Sequence, residues 1–352
     1  MVEGTQIGAY RIVKPLGAGG MSEVFVAEHA LLGRRAAIKV LRARLSRQSD
    51  VVQRLFNEAR IMTAIANPGI VQIFDFGYHT DGSAYIVMEL LEGETLDARL
   101  ARLGPLAIDE ALHLVRQVAS ALCAAHVRGV VHRDLKPENI FLVRDPEVAG
   151  GERAKILDFG IAKLIGDRAG ITEESEVLGT PSFMSPEQCR GAGGVEQRSD
   201  MYSLGCVLFT MVTGRPPFGG GGAAELLALH QIEPTPVPSQ RVPGLPAVID
   251  HLVLRCMAKD PAERFTACEL ARAIGALVRT PLPGHRAALV PGPVESAFRC
   301  DTGGDTQPLE PSRVSVMERV LRTVFVAEIA VLALMICGMA WLALALLSRF
   351  SA

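Results

Sequence analysis

The stretch His132-Arg133-Asp134-Leu135-Lys136-Pro137-Glu138-Asn139 decides the fold, because so many charged and amide groups in one short segment cannot all be buried in a core. Asp134 and Asn139 stand five residues apart, and 24 residues after Asp134 a short strand-like segment leads into Asp158-Phe159-Gly160. Two carboxylates and an amide provide a base and two oxygen ligands for a hard divalent metal ion. The pattern predicts a metal-assisted active site.

A bare Asp-Phe-Gly tripeptide is not specific, because it occurs twice in this chain. The copy at Asp75-Phe76-Gly77 comes before the polar stretch, and we expect it to end an early strand as a hairpin edge. Only Asp158 follows the polar stretch, so only Asp158 is a candidate metal ligand.

A glycine-rich turn, Gly17-Ala18-Gly19-Gly20-Met21-Ser22, lies between two predicted strands at 11–17 and 23–28. In dinucleotide-binding and Walker motifs the corresponding turn precedes a helix, so this context argues against both. Gly17 and Gly19 would let backbone N–H groups approach phosphate oxygens. Glycine-rich hairpins also occur without any ligand, so the turn indicates a phosphate site only together with the other motifs.

Lys39 and Glu58 are predicted to be partners. Lys39 is the only cation in the apolar run 36–41, and Glu58 lies on the apolar stripe of a predicted helix at 50–66. A carboxylate on an inward face needs a partner. The pair could be purely structural, and such pairs add little stability on average. The small side chain of Ala37 beside Lys39 favours a ligand surface instead.

Taken in order, these motifs resemble those of the eukaryotic-like (Hanks-type) bacterial Ser/Thr protein kinases, particularly membrane-bound ones, over about residues 7–278. The resemblance implies an α+β, bilobal protein kinase fold. Its small antiparallel β lobe, with helix C, would cover about 7–91, and its larger helical lobe about 92–278. The implied activity is phosphorylation of serine and threonine hydroxyls on protein substrates, with ATP and Mg²⁺ as cofactors.

The same resemblance assigns roles to individual residues. Lys39 would hold the α- and β-phosphates, oriented by Glu58 of helix C. The remaining ATP-site residues would be Leu16, Gly17, Ala18, Gly19, Gly20, Val24, Ala37, the gatekeeper Met88, and the hinge residues Glu89 and Leu91. Asp134 would accept the proton of the acceptor hydroxyl, and Lys136 would approach the γ-phosphate. Asn139 and Asp158 would hold Mg²⁺.

Residues 179–187 resemble the end of the activation segment of these kinases. Glu187 would pair with Arg264, and Asp200 would anchor the catalytic loop; both roles are structural. Arg133 could pair with a phosphate on this segment and order it. The candidate sites of activating autophosphorylation are Thr172, Ser175 and Thr180. The alternative for this acidic region is a solvated loop.

Three positions depart from the family pattern. Ser22 replaces the third glycine of the turn, Ala36 replaces the valine before Ala-Ile-Lys, and Ser185 replaces the alanine of Ala-Pro-Glu. Ser22 could weaken phosphate cover, although its side chain is small and can donate a hydrogen bond. None of the three removes a catalytic group.

The composition changes after about residue 278. Prolines and glycines without periodicity predict a linker and juxtamembrane segment at 279–323. Residues 329–347 contain no charge and nearly match the hydrocarbon thickness of a bilayer, so we expect a single transmembrane helix at 324–347. The alternative is a buried core helix, but no globular domain follows the linker to cover it.

Charges around the span predict its orientation. Three arginines precede it and one follows it, which favours a cytoplasmic kinase domain at the cell (inner) membrane and a short external tail at 348–352. The first residues lack an apolar stretch, so we expect no cleaved signal peptide. Membrane attachment would also favour encounters between copies and a homodimer for trans-autophosphorylation.

Composition excludes other classes. The chain has 36 basic and 38 acidic residues, a net charge of -2, which gives no field for binding nucleic acid. Its seven cysteines show no zinc-type spacing, and we expect free, mostly buried thiols in a reducing compartment.

Three rival functions remain. The first is a pseudokinase-type ATP-binding scaffold, disfavoured because every catalytic group is present. A small-molecule kinase would not need a peptide-docking segment such as 180–187. Tyrosine specificity is disfavoured by Lys136-Pro137-Glu138.

Overall fold

The computed structural model describes residues 2–159, 181–191 and 196–279. These residues belong to the first of two units, which divide between residues 285 and 286. The candidate phosphorylation sites Thr172, Ser175 and Thr180 lie outside the described residues. So do the predicted linker and the predicted transmembrane helix at 324–347. Within the described ranges, no helix is both long and apolar enough to cross a bilayer.

The N-terminal lobe is built on a six-stranded antiparallel sheet with the order β1-β2-β3-β4-β6-β5. Because side chains alternate along a strand, the sheet has two apolar faces. One face forms a cluster that includes Ile12, Phe25 and Ile38. The strands are β1 (Gln6–Ile7), β2 (Tyr10–Ala18), β3 (Ser22–His29), β4 (Arg35–Leu41), β5 (Ile73–Tyr78) and β6 (Ala84–Glu89).

A helix covers the other face of this sheet. After the short helix α1 (Ala43–Ser46), helix α2 (Ser49–Thr63) buries Val52, Leu55 and Ala59 against β4 and β6. These residues recur at intervals of three and four, which places them on one side of a helix. Glu58 also lies on α2, and it lines the same cavity as Lys39 of the central strand β4.

The C-terminal lobe is helical, and its core surrounds α6 (Gln197–Thr213). Fourteen consecutive residues of this helix are buried, from Ser199 through Val212. A helix that is buried on all sides belongs at the centre of a domain. Around it lie α3 (Leu96–Leu103), α4 (Ile108–Val127), α5 (Pro186–Cys189), α7 (Ala223–Ile232), α8 (Pro238–Arg241), α9 (Ala247–Cys256) and α10 (Ala267–Arg279).

A second, three-stranded sheet lies at the start of the C-terminal lobe. Its strands β7 (Gly93–Thr95), β8 (Ile140–Arg144) and β9 (Glu152–Ile156) pair antiparallel. The buried guanidinium of Arg99 on α3 ties this sheet to the helices. It donates to Glu152 through two nitrogens at 3.0 and 2.7 Å, and also to Glu94 and Glu110. The predicted catalytic loop, residues 132–139, precedes β8, and Asp158 follows β9. Because Ile140 pairs with Ile156 in this antiparallel ladder, the loop and Asp158 lie at the same end of the sheet.

The predicted elements agree with the structure to within a few residues. Apolar residues at helical spacing in the sequence also predict helices at 108–128 and 266–278, and these are α4 and α10. The helix predicted at 50–66 ends at Thr63, shortly before the helix-breaking Pro68. The early strand expected to end at Asp75-Phe76-Gly77, predicted at 70–76, runs instead over Ile73–Tyr78. This tripeptide therefore lies inside the edge strand rather than at its end.

The prediction that all cysteines are free thiols was wrong. Cys123 on α4 and Cys268 on α10 form a disulfide with a Cα–Cα distance of 5.0 Å. Packing of α4 against α10 brings together two cysteines that are 145 residues apart in sequence, a proximity that spacing does not reveal. Among the described residues, Cys189, Cys206 and Cys256 are not in a disulfide.

The junction between the lobes depends on Gly93, which has a φ of +153°. A Cβ atom there would collide with the carbonyl oxygen of Leu142, the residue before Val143, which pairs with Gly93 in the β7–β8 ladder. We expect Gly93→Ala to lower the free energy of unfolding by about 3 kcal/mol or more, from backbone strain plus a clash that only main-chain movement relieves.

Chemical denaturation of the full chain measures this effect. Gly82→Ala is the matched control, because Gly82 also has positive φ, +84°, but a Cβ there meets no atom within 4 Å. That variant should lose only about 1 kcal/mol. Equal losses in the two variants would contradict the steric argument.

Candidate active site

The predicted catalytic loop is held by a buried carboxylate. Asp200 on α6 accepts hydrogen bonds from the backbone N–H groups of His132 and Arg133, both at 2.8 Å. The Nε2 of His126 on α4 also lies 2.7 Å from Asp200 Oδ2. Arg133 has a φ of +66°, a conformation that costs energy outside glycine and persists only when its surroundings enforce it. The anchoring role expected for Asp200 is what the structure shows.

His132 connects this loop to the strand that delivers Asp158. Its ring is fully buried, and Nε2 lies 2.8 Å from the carbonyl oxygen of Leu157. A carbonyl only accepts, so Nε2 carries the proton and Nδ1 is free to accept from the Asp134 N–H at 3.3 Å. One imidazole therefore fixes the spacing between Asp134 and the residue before Asp158.

Asp134, Lys136 and Asn139 form one polar group. The amide nitrogen of Asn139 donates to the Asp134 carbonyl at 2.7 Å and to Asp134 Oδ2 at 3.2 Å. Lys136 Nζ lies 3.4 Å from the same Oδ2. The Asn139 amide nitrogen makes both of these bonds, so its amide oxygen is the atom with the chemistry of a metal ligand.

Lys39 pairs with Asp158, at 2.6 Å between Nζ and Oδ1. Desolvation acts to raise the pKa of the Asp158 carboxyl, but the Lys39 ammonium outweighs it and holds that pKa below its usual range. Asp158 has a φ of +47°, again the left-handed region. The structure therefore brings Lys39 of β4 together with Asp158 of the second Asp-Phe-Gly, although the two residues lie 119 positions apart in sequence.

The predicted pairing of Lys39 with Glu58 is not what the structure shows. The Lys39 ammonium contacts Asp158, while Glu58 Oε2 is buried without a hydrogen-bond partner. Burial raises the pKa of Glu58 to about 7, against the opposing pull of Arg133 and Arg54. The sequence placed Glu58 correctly on the inward stripe of α2. It could not specify which of two carboxylates the single ammonium would choose.

A cavity separates these groups from the apolar core. It encloses about 40 Å³, which is room for water rather than for a large ligand. Lys39, Glu58 and Asp158 form its polar rim. Its apolar walls are Ala59, Met62, Val71, Ile73, Ile86, Met88, Ile156 and Phe159.

At the predicted hinge, Glu89 joins the two lobes. Its Oε1 accepts from Lys155 Nζ on β9 at 2.6 Å and from the backbone N–H of Gln72 at 2.7 Å. Its backbone N–H donates to the Gln72 carbonyl. Met88 lies beside the cavity, opposite Ala37 in the β4–β6 ladder, so gatekeeper and hinge candidates follow one another along β6. Sequence reasoning missed Lys155, whose place in a short strand gave no sign of its partner.

The glycine-rich turn is the hairpin between β2 and β3. Gly17 lies opposite Val24 and Ala18 opposite Glu23, and the Gly19 N–H donates to the Ser22 carbonyl at 2.8 Å. A Cβ atom at Gly17 or Gly20 would meet nothing within 4 Å, so neither glycine is required by neighbouring atoms. Their open surroundings leave the backbone accessible to a ligand.

The end of the predicted activation segment is fixed from two sides. Glu187 accepts two hydrogen bonds from the buried Arg264, at 2.6 and 2.9 Å, and a third from Ser199. These contacts outweigh desolvation and lower the pKa of Glu187. Gln188 Nε2 donates to the Arg133 carbonyl at 2.6 Å, a contact that sequence reasoning missed. The expected Glu187–Arg264 pair is therefore present, and α5 lies against the catalytic loop.

The donor set fits a nucleotide with a magnesium ion. Mg²⁺ is usually bound through one or two carboxylates together with substrate phosphates, rather than by a cage of protein ligands. Asp158 and Asn139 could provide the protein oxygens, and Lys39 an ammonium for phosphate. No group of three or more His, Cys, Asp or Glu side chains suited to a metal occurs in the described ranges.

Comparisons with known proteins agree with this geometry. The protein kinase domain family matches residues 10–273. The chain is 41% identical over 300 residues to the serine/threonine-protein kinase Pkn1 of Myxococcus xanthus, covering 83% of this chain and 42% of that protein. It is 38% identical over 262 residues to the serine/threonine-protein kinase PrkC of Bacillus subtilis, covering 74% and 39%. The chain thus spans less than half the length of these two relatives.

A solved structure is also similar. The kinase domain of Mycobacterium tuberculosis PknI is 29% identical, with a TM-score of 0.62, over 78% of this chain and 99% of that one. The bilobal fold, the anchored loop and the family match lead to one conclusion: the chain belongs to the protein kinase domain family.

Proposed function

We propose that this chain is an ATP- and Mg²⁺-dependent kinase that phosphorylates serine and threonine hydroxyls of proteins. One observation carries the proposal: a loop anchored on Asp200 places Asp134 and Asn139 in the cleft where Lys39 meets Asp158. The similar proteins named as serine/threonine kinases support this substrate class for the matched region.

Asp134 is the proposed proton acceptor. Its Oδ2 already contacts Asn139 and Lys136, so we assign Oδ1 to the hydroxyl of the acceptor residue. Lys136, held at 3.4 Å from that carboxylate, supplies a positive charge beside the transferred group. When bound, ATP would supply the phosphoryl group, and Mg²⁺ held by Asn139 and Asp158 would neutralise its charge. The protein's contribution is therefore mainly positioning and electrostatics.

Lys39 has two possible partners across the cleft. It pairs with Asp158 here, and the resemblance predicts Glu58 as its partner in the active arrangement. Moving to Glu58 would give the buried Oε2 a partner and free Asp158 for a metal ion. We propose that a shift of α2 makes this exchange.

Three observations disfavour the rival functions. Lys39, Asp134, Asn139 and Asp158 are all in place, which a scaffold would not require. Helix α5 is fixed by Glu187 and Gln188 next to the catalytic loop, as a peptide-docking segment should be. Lys136 retains the serine/threonine-type position two residues after Asp134.

Activation by autophosphorylation is part of the proposal. The buried Nε of Arg133 has no hydrogen-bond partner, so this guanidinium has capacity for an anion. A phosphate on the activation segment would supply that anion. The proposed acceptors are Thr172, Ser175 and Thr180, and a homodimer would bring them to a second copy.

We also propose that the kinase domain is cytoplasmic and attached to the inner membrane by a helix at 324–347. The support is the uncharged run at 329–347 and the excess of arginine before it. Protein substrates that lie at the membrane would then be favoured.

Catalysis should depend on the carboxylate of Asp158. Asp158→Asn should abolish phosphorylation while leaving the domain folded, because it removes the carboxylate that binds the metal ion but keeps its shape. The measurement is transfer from labelled ATP with Mg²⁺ by the full chain, followed by mapping of the labelled residues. Asp75→Asn is the matched control, since Asp75 occupies the other Asp-Phe-Gly on an exposed edge strand. Full activity in Asp158→Asn, free of contaminating kinase, would refute the proposal.

The free energy of unfolding should depend on pH through Glu58. The pKa of Glu58 is raised from 4.5 to about 7 in the folded chain, so the native state binds the extra proton more tightly than the unfolded state. The resulting stability is full below pH 4.5 and is lost as the pH rises through 7, by up to about 3 kcal/mol. Glu58→Gln cannot ionise and should be more stable than the wild type at pH 8, with the difference vanishing near pH 4.5.

Urea unfolding across pH 4.5–8 tests this prediction, with Glu28→Gln as an exposed control on β3. If the difference between Glu58→Gln and the wild type does not depend on pH, Glu58 is not a buried, titrating group. The same variant should phosphorylate more slowly, because a neutral amide attracts the Lys39 ammonium less than a carboxylate does.

Membrane association should depend on the uncharged segment at 329–347. Replacing Leu334 and Ile336 together with arginine places two charges at the centre of the proposed span, at about 3 kcal/mol each. The full chain should then leave the membrane fraction, whereas Leu334→Val/Ile336→Val should remain in it. Membrane association of both variants after alkaline washing would exclude a spanning helix at 324–347.

A further inference from the structure

The disulfide between Cys123 and Cys268 lies outside the catalytic cleft and has no role in the chemistry described above. Cys123 is on α4, three residues before His126, and Cys268 is on α10, four residues after Arg264. Both cysteine residues are partly exposed. A small thiol reagent can therefore approach the bond from the surface.

One end of the disulfide lies next to the anchor of the catalytic loop. His126 is on the same helix as Cys123, one turn later, and contacts Asp200 Oδ2 at 2.7 Å. Asp200 in turn holds the backbone of His132 and Arg133. A change in the position of α4 is thus passed to the catalytic loop by two hydrogen-bonded steps.

The other end lies next to the anchor of the activation segment. Arg264, just before α10, holds Glu187, and the adjacent Gln188 donates to the Arg133 carbonyl. The two routes, from Cys123 and from Cys268, therefore converge on the backbone of Arg133. That residue has a positive φ and depends on its neighbours to keep it.

We propose that Cys123 and Cys268 form a redox site that exchanges with small or protein dithiols, and that the disulfide braces the catalytic loop from behind. The bond closes a loop of 145 residues that contains the catalytic loop and the activation segment. Closing so long a loop restricts the unfolded chain strongly, so reduction should destabilise this lobe. In the reducing compartment proposed above, such a bond would be reversible.

A dithiol reduces the Cys123–Cys268 disulfide in two thiol–disulfide exchange steps. A thiolate of the dithiol attacks one cysteine sulfur, the S–S bond breaks, and the other sulfur leaves with the electron pair and takes a proton. The second thiol of the reagent then attacks the mixed disulfide and releases the remaining cysteine. Two electrons and two protons pass to Cys123 and Cys268, and the dithiol becomes a cyclic disulfide. Oxidised glutathione, a disulfide oxidant, reverses the reaction.

Other described cysteines are poor competitors for this exchange. Cys206 and Cys256 are fully buried, and burial raises the pKa of both thiols, to about 12 for Cys256. Since the thiolate is the reactive form, both should stay inert while the fold is intact. Cys189 is partly exposed and lies on α5, away from either partner in sequence and element.

The test uses the full chain, purified in mild detergent and treated either with dithiothreitol or with oxidised glutathione. Alkylation followed by peptide mapping should find Cys123 and Cys268 labelled only after reduction. Reduction should lower the Tm by about 5–15 °C. It should also lower kcat for phosphorylation while leaving the KM for ATP unchanged, because the loop and not the nucleotide site is loosened.

Two variants make the test decisive. Cys123→Ala/Cys268→Ala should lose the dependence of Tm on dithiothreitol, whereas Cys189→Ser should keep it. Alkylation of Cys123 and Cys268 after oxidation would overturn the site, and an oxidised bond with no effect on Tm or kcat would overturn the brace. The Tm measurement needs no kinase activity, so an inactive chain would refute the proposed function without deciding this one.

Discussion

The cleft depends on one buried carboxylate, Asp200. It is 1% exposed, it accepts hydrogen bonds from two backbone N–H groups, and it contacts the imidazole of His126. Charge-assisted hydrogen bonds of this kind contribute about 1.5–3 kcal/mol each, which is enough to offset the strain of a non-glycine residue with positive φ. Without this acceptor, Arg133 would relax and Asp134 would turn away from Asn139. The catalytic geometry therefore depends on a residue that does not reach the cleft itself.

Two anchors of different kinds converge on the same residue. Asp200 holds the N–H of Arg133, and Gln188 holds its carbonyl, with Glu187 and Arg264 behind it. The Arg264 side chain is fully buried, and removing either charge of its pair would leave the other uncompensated. A residue held at both its N–H and its carbonyl is displaced when either anchor moves. This arrangement couples α5 to Asp134, the proposed proton acceptor, through the backbone.

Sequence reasoning was sufficient for the parts of the fold that are set by local pattern. Helices such as α4 and α10 follow from apolar periodicity, and the order of the motifs separates Asp158 from Asp75. Contacts that depend on tertiary packing were not predictable. Lys39 had one positive charge and two carboxylates within reach, and neither spacing nor composition decides between Glu58 and Asp158. The same holds for Cys123 and Cys268, whose helices meet only after 145 intervening residues have folded.

The buried polar atoms without a partner show where this fold accepts a cost. Of five such side-chain atoms in the described ranges, three belong to Glu58, Arg133 and Glu138, all in or beside the cleft. Leaving a buried polar group unsatisfied costs about 1–3 kcal/mol, whereas the same group at the surface could bond to water. Each of the first two has a counterpart in the proposed cycle: the Lys39 ammonium for Glu58, once it ionises, and a phosphate for the Arg133 guanidinium. The free energy lost by leaving these two atoms unpaired would be regained when the Lys39 ammonium and a phosphate bind them.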